Sequence, residues 1–303
     1  MLGPLDKAVW VSGEIQSPAA CGIKGSRYLL VKAHVGFGDR LQALSHAMSY
    51  ARKYQRILCV DWTDAIWSDG TIGFDTFFDI CDVPTILPEA FYQLSHGSIY
   101  PTGWSNQLDR RAELSFLNRP AYHQLLTEDQ PDAEVVVYGS VGNRIYYREN
   151  LNLLRIKKSF RDTIVAELVK YRDYETVVHL RGTDRRATDA HGQYLLQLAE
   201  KIDAIAVTDS ILVVTDTLPL FEQFQRRFPH AVLRTPNLDK FNSIEGTHLQ
   251  KSISKREYNL QLLIDFFLLV YAPQCVSDGE SIFSLMARFL HDGDHTDILG
   301  YDA

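Results

Sequence analysis

Short apolar runs alternate with longer amphipathic stretches along most of this 303-residue chain. The runs at 28–33, 57–62, 134–138, 176–180, 210–215, 231–234 and 275–277 are rich in β-branched residues and bounded by turn formers, the pattern of strands. Between 40 and 54, Leu41, Leu44, Ala47, Met48 and Ala51 recur at the spacing of one helix face, and similar patterns predict helices over 159–171, 193–205, 218–228, 255–271 and 281–290. Strands alternating with helices predict α/β architecture, with parallel sheets covered by helices. The first strand, the turn around Gly36-Phe37-Gly38 and the helix and strand after it read as a βαβ unit. Its right-handed crossover puts that turn at the carboxyl end of the first strand.

From 63 to 132 the pattern is irregular, with Trp67, Phe74, Phe77, Phe78, Phe91, Tyr92, Tyr100 and Trp104 among turn residues. This region is expected to be an elaboration that faces a substrate. The polar stretch at 148–152 is the expected domain boundary, and a chain of this length favours two domains, 1–150 and 151–303. A net charge of -7 argues against a nucleic-acid partner, because binding a phosphate backbone needs a basic face. The cysteines, Cys21, Cys59, Cys81 and Cys275, form no CxxC pair and read as reduced thiols. Residues 1–17 carry no basic region followed by an apolar one, and the longest apolar segment, 260–272, is broken by Gln261 and Asp265. No membrane span is expected, and the expected location is cytoplasmic.

The candidate chemistry lies at strand ends, where open α/β sheets place their ligands. After the strand at 176–180 come Arg181, Thr183, Asp184, Arg185 and Asp189, with His179 inside the strand. Arg181 can bind two phosphate oxygens through its planar fork and Thr183 adds a hydroxyl, so a diphosphate suits them; an Arg181–Asp184 ion pair is the structural alternative. Gly36, Phe37 and Gly38 form a turn that lets a ligand approach free helix-terminal amides, or simply a tight turn. Asp216 ends another strand, and capping the following helix is its commoner role. Asp265 sits in an apolar helix and must meet either an internal cation or a ligand donor, such as the adjacent N–H groups of guanine. Glu280 and Ser281 precede the last helix, a position suited to an anion or to an N-cap. The segment His291 to His295 has metal-ligating residue types but lies in a polar tail, so no metal is expected.

Together these segments resemble the NodZ and core α1,6-fucosyltransferase group of the fucosyltransferase superfamily. Gly36-Phe37-Gly38-Asp39-Arg40-Leu41 is similar to that group's opening βαβ. His179-Leu-Arg181-Gly-Thr183-Asp184-Arg185 resembles its His-x-Arg-Arg-Thr-Asp-Lys motif, Thr215-Asp216 its second motif, and the stretch from Asp265 to Ser281 its third. The resemblance covers about residues 30–62 and 176–290. It implies a GT-B-like fold, two Rossmann-like domains with a donor cleft between them, the N-terminal one on the acceptor side. It also implies inverting, metal-independent transfer from GDP-fucose to a hydroxyl of a glycan or other small acceptor, with no cofactor. His179 and Asp265 would hold the nucleoside, Arg181 the diphosphate, and Ser281 or Glu280 the phosphate end. Asp189 stands at the position of the group's proposed base and Arg185 at that of an assisting Lys. Two positions depart from the group: its second motif Arg is Gly182 here, and its base is a Glu.

Rival expectations are a GT-B enzyme using another nucleotide sugar, a noncatalytic nucleotide- or glycan-binding protein, and a metal-dependent phosphohydrolase that would need the segment from His291 to His295.

Overall fold

A computed structural model describes residues 25–32, 36–109, 127–139, 148–182, 191–204, 210–234, 254–277 and 281–291. The described residues fall into two compact units, one ending at Lys158 and the other beginning at Ser159.

The first unit opens with strand β1 (Tyr28–Lys32), helix α1 (Phe37–Tyr54) and strand β2 (Ile57–Asp61). The helix begins three residues before the expected 40, because the backbone of Gly36 serves as N-cap without any side-chain bond. Helix α2 (Phe74–Phe77), strand β3 (Phe78–Ile80), helix α3 (Pro88–Tyr92) and strand β4 (Ile99–Tyr100) follow. Strand β5 (Val135–Gly139), helix α4 (Arg148–Leu151) and strand β6 (Leu154–Ile156) complete the unit. Its parallel sheet has the order β2-β1-β5-β4, while β3 and β6 pair antiparallel. Leu30, Cys59, Val135 and Val137 face Phe91 and Trp104 in its core. Full burial of such side chains contributes about 1.5–3 kcal/mol each.

In the second unit helix α5 (Lys158–Lys170) leads into strand β7 (Thr176–Leu180), helix α6 (His191–Ala204) and strand β8 (Ile211–Thr215). Then come helix α7 (Leu218–Arg227), strand β9 (Val232–Leu233), helix α8 (Lys255–Tyr271), strand β10 (Gln274–Val276) and helix α9 (Ile282–His291). The sheet order is β10-β7-β8-β9, all parallel. From β7 the chain moves outward through β8 and β9, then returns to place β10 on the other side of β7. The gap between the ends of β7 and β10 is therefore the topological switch point, where α/β sheets bind ligands.

Among the described residues between 63 and 132, the expectation of a substrate-facing aromatic surface is corrected for the following rings. Trp67, Phe74, Phe77, Phe78, Phe91 and Trp104 are all buried. Trp62, Trp67, Phe74 and Phe78 make edge-to-face and stacked contacts with one another and with Phe37, with centroids 5.0–6.5 Å apart. These rings form a core of the first unit rather than a sugar platform; Tyr92 and Tyr100 are half-buried.

Candidate active site

At the carboxyl ends of β1 and β2 the first unit buries two ion pairs. Lys32 Nζ lies 2.7 Å from Asp61 Oδ2, with both side chains no more than 3% exposed. Thr63 and Tyr92 donate further hydrogen bonds to the same carboxylate. Burial works against ionisation of Asp61, but the Lys32 charge and these donors outweigh it and hold its carboxyl below the ordinary range. Arg40 makes a two-pronged bond to Asp64 at 2.7 and 2.8 Å, under the Trp62 and Trp67 rings. These groups are fully committed to the protein. The turn at Gly36-Phe37-Gly38 sits at the start of α1, with Phe37 in the aromatic core and Gly38 buried.

The second unit carries the more open chemistry. Strand β7 aligns with β8 so that Leu180 is opposite Thr215, which brings Arg181 and Gly182 level with Asp216 and Thr217. The Gly182 amide donates to Asp216 Oδ1 across 2.7 Å. The expected helix-capping role of Asp216 is thus corrected: Thr217 is the N-cap residue of α7, and it makes no side-chain capping bond. Asp216 instead fixes the turn that leaves β7.

Arg181 crosses the switch point, its Nη1 donating to Ser281 Oγ at 3.3 Å. Ser281 is almost fully buried, and its carbonyl accepts the first helical bond of α9 from Leu285. It therefore acts as N-cap and also meets the guanidinium. His179 is buried as the penultimate residue of β7, its ring 5.4 Å from that of Phe283 in the first turn of α9. Lys201 steadies the other side of this gap by donating to the Ser277 carbonyl at 2.9 Å. The result is a half-buried arginine at the head of a helix whose first amides face the same region, an arrangement suited to a phosphate.

Asp265 meets an internal cation, one of the two alternatives open from sequence. Arg234, 2% exposed and just beyond β9, donates from Nη1 to Asp265 Oδ1 at 2.6 Å and from Nη2 to Gln261 Oε1 at 2.9 Å. Burial raises the Asp265 carboxyl above its ordinary range and Arg234 opposes that rise. Arg234 and Gln261 escaped the sequence reading; the one available signal was the need of Asp265 for a cation.

Thr183, Asp184, Arg185, Asp189 and Glu280 lie outside the described residues, as do positions 292–295. His291 is used structurally, its Nδ1 bonding the Val270 carbonyl at 3.0 Å. Among the described residues no group of three or more His, Cys, Asp and Glu side chains could hold a metal, and no helix is long and apolar enough to cross a membrane. Cys59, Cys81 and Cys275 are free thiols.

No protein-family model matches the chain. It is 36% identical over 87 residues to nodulation protein Z of Sinorhizobium fredii, an alignment that takes in 26% of this chain and 27% of the relative. It is 30% identical over 128 residues to nodulation protein Z of Bradyrhizobium diazoefficiens, 38% of this chain and 35% of the relative. The matched stretches thus span about a quarter to a third of the curated relatives. Among solved structures, NodZ α1,6-fucosyltransferase from Bradyrhizobium superposes over 88% of this chain and 93% of its own, at 22% identity and a TM-score of 0.64. The same enzyme soaked with GDP-fucose gives a TM-score of 0.65 over the same shares and identity. POFUT1 in complex with GDP-fucose aligns with 88% of this chain and 94% of its own, at 11% identity and a TM-score of 0.52. These likenesses show the fold: each unit is Rossmann-like, and the chain has the GT-B architecture of these fucosyltransferases.

Proposed function

We propose that this chain is a fucosyltransferase that takes its sugar from GDP-fucose and passes it to a hydroxyl of a glycan or another small acceptor. The observation that carries the reading is the Arg181–Ser281 bond across the switch point of the second unit, which places a forked cation beside a helix N-terminus. Crystals of the structurally similar NodZ hold GDP in one case and were soaked with GDP-fucose in another, which supports the choice of donor.

In this reading Arg181, Thr183 and the first amides of α9 bind the diphosphate, with Ser281 or Glu280 at its outer phosphate. His179 and Asp265 hold the nucleoside. Asp216 keeps the turn after β7 in place. Asp189 removes the proton of the acceptor hydroxyl as that oxygen attacks the anomeric carbon, and Arg185 assists it. One attack on the face opposite the leaving group inverts the configuration. Negative charge grows on the departing GDP, and the prepositioned guanidinium and amides stabilise it without requiring a metal.

The test is GDP release from GDP-fucose by the purified chain, with and without candidate acceptors. Arg181→Ala is expected to abolish turnover while the melting temperature stays unchanged, and normal turnover by that folded variant would overturn the assignment. A panel of GDP, UDP, CMP and ADP derivatives in thermal-shift measurements separates the runner-up, a GT-B enzyme that uses another nucleotide sugar.

A further inference from the structure

Helix α8 carries Gln261 and Asp265 four residues apart, hence on one face and one turn from each other. Both are half-buried. The buried Arg234 guanidinium reaches both, with Nη1 on Asp265 Oδ1 at 2.6 Å and Nη2 on Gln261 Oε1 at 2.9 Å. A guanidinium has donors only, so it fixes the amide orientation: the oxygen of Gln261 must face Arg234 and its NH2 must point elsewhere. The same contact takes one lone pair of Asp265 Oδ1, and Oδ2 can still accept. Arg234 thereby turns two flexible side chains into an N–H donor beside a carboxylate acceptor.

We infer that Gln261 contacts the nucleobase of the donor together with Asp265, and that Arg234 is the positioning residue that sets this donor–acceptor pair. The inference rests on the proposed reading that a nucleoside diphosphate lies at the strand ends of the second unit with its base against Asp265. The Watson–Crick edge of a 6-oxopurine offers an O6 acceptor next to an N1–H donor, the complement of Gln261 Nε2 and Asp265 Oδ2. Inosine diphosphate shares O6 and N1–H with GDP and lacks only the exocyclic 2-amino group, so both nucleotides depend on Gln261 and Arg234.

The test is titration calorimetry of the full chain with GDP, inosine diphosphate and pyrophosphate. The wild type is expected to bind both nucleotides more tightly than pyrophosphate. Gln261→Glu keeps the acceptor for Arg234 but removes the donor to O6, and Gln261→Leu removes both. Each is expected to weaken both nucleotides about tenfold, as for a lost hydrogen bond to a desolvated acceptor, with pyrophosphate affinity unchanged. Arg234→Lys keeps the charge but cannot hold two partners in one plane, and it is expected to weaken both nucleotides without weakening pyrophosphate. A purely structural role would move all three ligands together, and that result overturns the inference. So would Gln261 variants that bind GDP as the wild type does. If the wild type bound no guanine nucleotide at all, the functional reading itself would fall, and this inference with it.

Discussion

Thr217 stands where a side chain on Gly182 would have to go: a Cβ built on Gly182 would lie 2.1 Å from Thr217 Oγ1 and 3.1 Å from its Cβ. Gly182 is also a position at which the chain departs from the fucosyltransferase motif, which has an arginine there. The two residues occupy one space, so the loss of a side chain at 182 is built into the packing of the β7 and β8 ends. Gly182→Ala is therefore expected to destabilise the protein by about 1–3 kcal/mol, in the range of overpacked sites, and to weaken GDP binding by displacing Arg181. Combining it with Thr217→Gly should restore most of both losses. Urea unfolding and GDP titration of the two single variants and the double check this, and strictly additive effects would contradict it.

The bond from the Gly182 amide to Asp216 Oδ1, 2.7 Å long, fixes the turn that carries Arg181. Asp216→Ala leaves that amide without its charged acceptor, and a hydrogen bond to a charged group is worth about 1.5–3 kcal/mol. GDP affinity is expected to fall tenfold or more, while Asp216→Asn, which keeps an acceptor oxygen, should lose less. Equal losses in the two variants would rule out the amide as the target of Asp216.

The Lys32–Asp61 pair is an internal support of the first unit. Asp61→Asn removes the counter-charge of the buried Lys32 ammonium, which costs about 3–5 kcal/mol. Because the folded carboxyl titrates below the ordinary range, its contribution is complete above the unfolded value of about 3.9 and is lost as pH falls through the lower folded value. The stability gap between wild type and variant should thus be constant from about pH 5 to 7.5 and close below about pH 4. Urea unfolding across that range measures it.

If Asp189 is the base, Asp189→Asn should lower kcat about a hundredfold to ten-thousandfold and leave GDP affinity unchanged. Steady-state kinetics alongside GDP titration separate the two quantities. A variant with full kcat would move the role of base to another carboxylate.

Much of the second unit was legible in the sequence because strand ends announce themselves: an apolar β-branched run that stops at charged residues has few other readings. Strand β7 and helix α8 fall on the expected 176–180 and 255–271, and Arg181 and Ser281 meet as neighbouring strand ends should. The partner of Asp265 was not legible, since Arg234 lies 31 residues away beyond a two-residue edge strand, and nothing local marks an arginine as buried. Lys32 and Arg40 were missed for the same reason: a charged residue at a strand end or in a first helical turn reads as exposed until its partner is seen. The aromatic stretch after Thr63 misled because, without a regular period, composition cannot say which face a ring turns toward. Trp67 and Trp104 proved to be core.

Calorimetric titration of the chain and its Arg181→Ala variant with GDP and UDP tests the central claim most directly. The account predicts that the wild type binds GDP in preference to UDP, and that the equally stable variant loses that binding by a factor of a hundred or more. Equal affinity for the two nucleotides, or unchanged GDP binding by the variant, would contradict it.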